Sequence, residues 1–82
     1  MRILDVDTDR VLDTICLYLT PQEAERMLGA LQDLMEDLPD GNLHHVHLND
    51  ADYQREITVT VYTEENMHQF DQRSRKLIRE GT

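Results

Sequence analysis

The chain has 82 residues, with seventeen Asp and Glu against eight Lys and Arg, a net charge of −9 and a single cysteine, Cys16. That length predicts one domain, 1–82, with a thin core, because a chain this small buries roughly 60 % of its unfolded surface. The charge argues against nucleic acid as a partner, since phosphate binding needs Lys and Arg to displace counterions, and one cysteine excludes an internal disulfide and suits a reducing compartment.

The N-terminus sets Asp5 and Asp7 where a signal peptide needs an unbroken apolar stretch. No segment approaches the ~20 apolar residues of a membrane span, so the expected location is cytoplasmic, with no membrane partner. Leu4 and Val6 alternate with polar neighbours and predict a first strand over 2–7, followed by turn residues Asp7-Thr8-Asp9-Arg10. A second strand is expected from about Val11 or Thr14 to Leu19, through Ile15, Cys16, Leu17 and Tyr18, folding back on the first as a hairpin.

Thr20-Pro21-Gln22-Glu23 is the sharpest local signal. Thr20 caps, Pro21 suits the first helical position and Glu23 closes a capping box, which predicts a helix over 21–38. Ala24, Met27, Leu28, Leu31, Leu34, Met35 and Leu38 recur at helical spacing as one apolar stripe, and Pro39 with Gly41 ends it. A third strand over 43–48 and a fourth over 55–63 follow, joined by the polar loop 49–54. Thr63 then repeats the role of Thr20 and predicts a last helix over 64–79, carrying Met67, Phe70, Leu77 and Ile78 on its buried side.

The pattern reads as strand-strand-helix repeated twice. It implies an α+β fold in which a four-stranded, mostly antiparallel sheet packs both helices on one face. Strand period places Val46, Leu48, Ile57, Val59 and Val61 on the core side. The open side would show Thr14, Cys16, Tyr18, His45, His47, Thr58, Thr60 and Tyr62, a surface rich in rings and hydroxyls and poor in charge. Such a face suits a protein partner or a second copy of the chain, and the acids Asp33, Glu36 and Asp37 on the first helix would steer a basic one.

Signs of catalysis are weak. His45 and His47 lie two apart on a strand and could share a metal, but His44 points the other way and no third local ligand completes a site. Asp5, Asp7 and Asp9 open like a calcium loop, yet its sixth position is Arg10 and its twelfth Cys16. Asp50 and Asp52 are what a turn requires. Cys16 beside His45 or His47 lacks a third catalytic group and reads as a small hydrophobe. With no Gly-rich phosphate loop, the chain is expected to be non-enzymatic and to carry no cofactor.

Leu19-Thr20-Pro21-Gln22-Glu23-Ala24, His45-Val46-His47-Leu48 with its acidic loop, Glu56 to Tyr62, Asn66 to Phe70, Arg73-Ser74 and Leu77-Ile78 together resemble small bacterial immunity proteins of polymorphic toxin systems. The similarity spans roughly 14–78 and rests on secondary-structure pattern and the histidine strand. It implies a small acidic protein that binds a toxin and blocks it without catalysis, and it offers no catalytic residues. The competing expectations are a homodimer joined through the open sheet face, and a weak metal or ligand binder at His45 and His47.

Overall fold

A computed structural model describes all of residues 1–82. The elements are β1 (Ile3–Asp5), β2 (Arg10–Leu12), α1 (Pro21–Asp37), β3 (His45–Asn49), β4 (Glu56–Thr60) and α2 (Gln72–Glu80), so the class is α+β. Contacts divide the chain into two compact units, one formed by Met1–Leu17 with Phe70–Thr82 and the other by Tyr18–Gln69. No helix is long and apolar enough to cross a membrane.

In the first unit β1 pairs antiparallel with β2, Ile3 opposite Leu12 and Leu4 opposite Val11. The Asp5 carboxylate sets the turn by accepting from the amides of Asp7 (3.1 Å) and Thr8 (3.3 Å), and Asp9 takes a left-handed φ of 57°. Bonds from the Thr8 side chain and amide hold the Asp5 carboxyl below its ordinary range. Helix α2 starts at Asp71, whose carboxylate accepts from the Ser74 amide at 2.7 Å, and stops at Gly81, which supplies a φ of 78° and donates to the Leu77 carbonyl. Arg2 donates to the Ile78 carbonyl and Arg73 pairs with Asp9 at 2.9 Å, which ties hairpin to helix, and Phe70 and Leu77 are buried.

The second unit is α1 with the β3–β4 hairpin. Thr20 and Glu23 form the full capping box, Glu23 N–H to Thr20 Oγ1 at 3.2 Å and Thr20 N–H to Glu23 Oε1 at 2.9 Å, with Pro21 in the first turn. The helix packs against β3, its Arg26 guanidinium donates to the Asn49 carbonyl, and Leu34 is its one fully buried side chain. His45 lies opposite Thr60, His47 opposite Thr58 and Leu48 opposite Ile57. Val46, Leu48, Ile57 and Val59 are half-buried while His45, His47, Thr58 and Thr60 are exposed, as strand alternation requires.

Four expectations change. The strands form two separate two-stranded sheets, not one of four. Helix α1 belongs with the hairpin that follows it, and α2 with the hairpin at the other end of the chain, so one unit is formed from the two ends of the sequence and the other from its middle. Of the strand expected from Val11 or Thr14 to Leu19 only the beginning forms, because the Asp5 turn brings Arg10–Leu12 opposite β1, and residues 14–19 pair with no strand and leave Cys16 exposed. The last helix begins at Gln72 instead of 64, since residues 64–69 are spent on a turn and a short 3₁₀ segment at Met67–Gln69.

That turn is held by Asn66, which is 1 % exposed. Its Oδ1 accepts from the Thr63 amide (2.8 Å), its own amide donates to Thr63 Oγ1 (3.1 Å), and its Nδ2 donates to the Val61 carbonyl (3.0 Å) and reaches the Asn42 carbonyl at 3.5 Å. Gln69 adds a second tie, accepting from the Leu43 amide at 2.7 Å and donating to Asn42 Oδ1.

Candidate protein-binding surface

Tyr18, His45, His47, Thr58, Thr60, Tyr62, Asp33, Glu36 and Asp37 all lie in the second unit, on three separate features, whereas Thr14 and Cys16 of the expected open face lie in the first. The outward face of β3–β4 is the first. There the rings of His45 and His47 meet edge to face with centroids 4.9 Å apart. His47 Nδ1 lies 2.9 Å from Thr58 Oγ1 and 2.8 Å from Glu56 Oε1, and Thr60 Oγ1 donates to the His44 carbonyl at 2.7 Å. Cross-strand bonding thus engages His47, Thr58 and Thr60 on this face. Tyr62 falls two residues beyond β4 and is 42 % exposed.

Tyr18 stands apart. It precedes the Thr20 cap in a stretch that pairs with no strand, and at 89 % exposed it leaves the face on which strand period had placed it. His44, turned to the opposite side, pairs with Asp40 at 2.6 Å. The Asn42 amide and the His44 ring both hold the Asp40 carboxyl below its ordinary value. No three His, Cys, Asp or Glu side chains are grouped to hold a metal.

The third feature is the surface of α1, and here the sequence reading needs its largest revision. The seven apolar residues do not share one environment. At 3.6 residues per turn Leu34 and Leu28 are about 120° apart around the axis, wider than one neighbour covers. A two-stranded hairpin is narrow, so Met27 and Leu34 turn toward it while Leu28 (60 % exposed), Leu31 (40 %) and Met35 (58 %) stay in solvent. Leu28, Leu31, Gln32, Met35 and Glu36 form an open strip of surface along that side of the helix.

Acids border it. Helix α1 carries five Asp or Glu and a single base, Arg26, and its last turn contains Glu36 and Asp37 with no cation. Anions at a helix C-terminus oppose the macrodipole, so this placement does nothing for the helix itself. Glu36 borders the apolar strip, and Asp33, three residues before it, continues with Asp37 the acidic surface away from that strip.

Sequence reasoning passed over one exposed aromatic. Tyr53, 81 % exposed at the tip of the β3–β4 loop, adopts a left-handed φ of 55° that non-glycine residues rarely take. Asp50 fixes it there: the Asp50 carboxylate accepts from the amides of Gln54 (2.8 Å) and Arg55 (3.2 Å), which also lowers its pKa. The turn composition of 49–54 pointed to a loop, but nothing in it marked Tyr53 as the presented residue.

The strip is open to solvent and bordered on one side by acids. No family model matches the chain, and no curated protein or solved structure matches it either.

Proposed function

We propose that this chain is a non-enzymatic, acidic protein-binding module that works in the cytoplasm of a bacterium as an immunity-type inhibitor of a basic toxin domain. The observation that carries this reading is the solvent side of α1, where Leu28, Leu31 and Met35 are left uncovered beside Glu36. Uncovered apolar groups supply the affinity of a protein interface, while a chain carrying −9 attracts a basic partner and speeds its approach. The resemblance to immunity proteins of polymorphic toxin systems supplies the class of partner. The ordered His45–His47–Thr58–Thr60 face is a second contact area on the same unit.

A growth assay tests it. The C-terminal domain of a toxin encoded beside this chain is expressed in a bacterial host with and without the chain. Restored growth is the expected result, and association of the purified pair should slow steeply with added salt while dissociation changes little. Persistent killing in the presence of soluble chain would refute the inhibitor reading.

A further inference from the structure

Along α1 the residues Ala24, Leu28, Leu31, Met35 and Leu38 are spaced four, three, four and three apart. That is the a/d rhythm of a coiled-coil seam, which places knobs where a second helix presents holes. The rhythm belongs to the uncovered side: Ala24, Leu28, Leu31 and Met35 are exposed, whereas Met27, Ala30 and Leu34, which form the parallel inner row, are half-buried or buried. A helix that meets only a hairpin has no use for two such rows.

Charge decides what covers the outer row. Glu25 and Gln32 follow the seam on its open border and Glu36 lines its C-terminal half, and the one cation of α1, Arg26, is engaged with the Asn49 carbonyl. In an antiparallel pairing a second copy of this chain would bring Glu25 near Glu36 along the same border, between two molecules of −9. Like charges facing each other across a helical seam oppose association. A helix with Lys or Arg flanking its apolar stripe meets attraction at the same positions.

We propose that the outer row of α1 is a docking seam for a basic amphipathic α-helix of another protein, seated on Leu28, Leu31 and Met35 and held by Glu25 and Glu36. The proposal rests on the reading of the chain as a protein-binding module and adds the surface and the partner's secondary structure. Its contact mode is helix against helix, with Leu28, Leu31 and Met35 at i, i+3 and i+7 of α1 as anchors.

The probe is an 18-residue peptide of Leu and Lys, with Leu at three-four spacing and Lys on the flanks, titrated into the full chain by fluorescence anisotropy. A second peptide replaces every Lys by Glu. The Lys peptide should bind at least tenfold tighter than the Glu peptide, and its affinity should fall at least tenfold between 50 and 300 mM salt. Leu31→Asp should weaken it at least tenfold, and Glu25→Lys with Glu36→Lys should reverse the preference between peptides. Leu28→Gln, at a more exposed site that retains helix propensity, repeats the test should Leu31→Asp fail to fold.

Equal binding of both peptides, binding of neither, or unchanged affinity in Leu28→Gln would overturn the proposal. A dimer of the free chain at micromolar concentration that Leu28→Gln dissociates would overturn it too, because the seam would then be covered by a second copy. Growth rescue separates this inference from the reading beneath it. Wild-type rescue that survives Leu28→Gln and Leu31→Asp sinks the seam and spares the module, whereas no wild-type rescue sinks the inhibitor reading whatever the peptides do.

Discussion

Thr20 and Thr63 open with the same reciprocal pair of hydrogen bonds, and only Thr20 leads directly into a helix. After Thr20 the third residue is Glu23, whose carboxylate returns to the Thr20 amide from a partly exposed position, and seventeen helical residues follow. After Thr63 the third residue is Asn66. It makes both bonds of the box, yet its Nδ2 also donates to the Val61 carbonyl and the side chain is buried. The chain passes through one 3₁₀ turn, and Asp71 starts α2 afresh. A cap satisfies the first free amides of a helix but does not propagate it. Propagation needs an apolar side with a surface to cover it, which β3 gives α1 through Leu34.

If packing holds the first helix, the largest loss should come from its inner row. Leu34→Ala is expected to cost about 2 to 5 kcal/mol in chemical denaturation, whereas Leu31→Ala on the solvent side should cost about 1 kcal/mol or less. Equal costs at the two positions would mean that both rows are covered.

Asn66 is the corresponding anchor of the second site. Asn66→Ala leaves the Thr63 amide and the Val61 carbonyl without their partner and should cost about 2 to 3 kcal/mol. Asn66→Glu sharpens the contrast, for it restores the capping-box residue in a place that has no room for it. Loss of stability without added helix is expected; a gain in the far-UV helical signal would show that residue type, and not burial, stops the helix.

The caps themselves come next in size. Thr20→Ala should cost about 1 kcal/mol, with Thr20→Ser close to neutral.

Smallest is the acid response of α2. The Ser74 amide bonded to the Asp71 carboxylate lowers the Asp71 pKa from its ordinary 3.8. A carboxyl with a depressed folded pKa contributes stability that is complete above the unfolded value and disappears as pH falls through the lower, folded one. Unfolding followed from pH 5 to pH 2 should therefore be less steep in Asp71→Asn than in the parent chain. Identical slopes would remove Asp71 from the acid response.

Local chemistry was legible where neighbours in sequence are also neighbours in space. Thr20, Pro21 and Glu23 announced α1, and the helix expected over 21–38 is observed at Pro21–Asp37. Alternation from His45 to Leu48 and from Ile57 to Thr60 fixed which side chains of the β3–β4 hairpin turn outward. The apolar residues of α1 were visible too, but their division was not. A width of about 120° says that one narrow neighbour will leave an edge exposed, and only knowing that β3–β4 is two-stranded says which edge.

The sequence by itself determined the start of α1, which rests on the i to i+3 bonds of Thr20 and Glu23, the faces of the histidine hairpin and the acidity of α1, because each depends on residues a few positions apart. Tertiary structure decided the pairing of helices with hairpins, the end of the sheet at two strands and the fate of Thr63. Arg2 reaches Ile78 across 76 positions and Arg73 reaches Asp9 across 64. Asn66 Nδ2 and the Asn42 carbonyl stand 24 apart. Bonds of that span leave no period or spacing in the chain, and their energy exists only once the distant segments have been brought together.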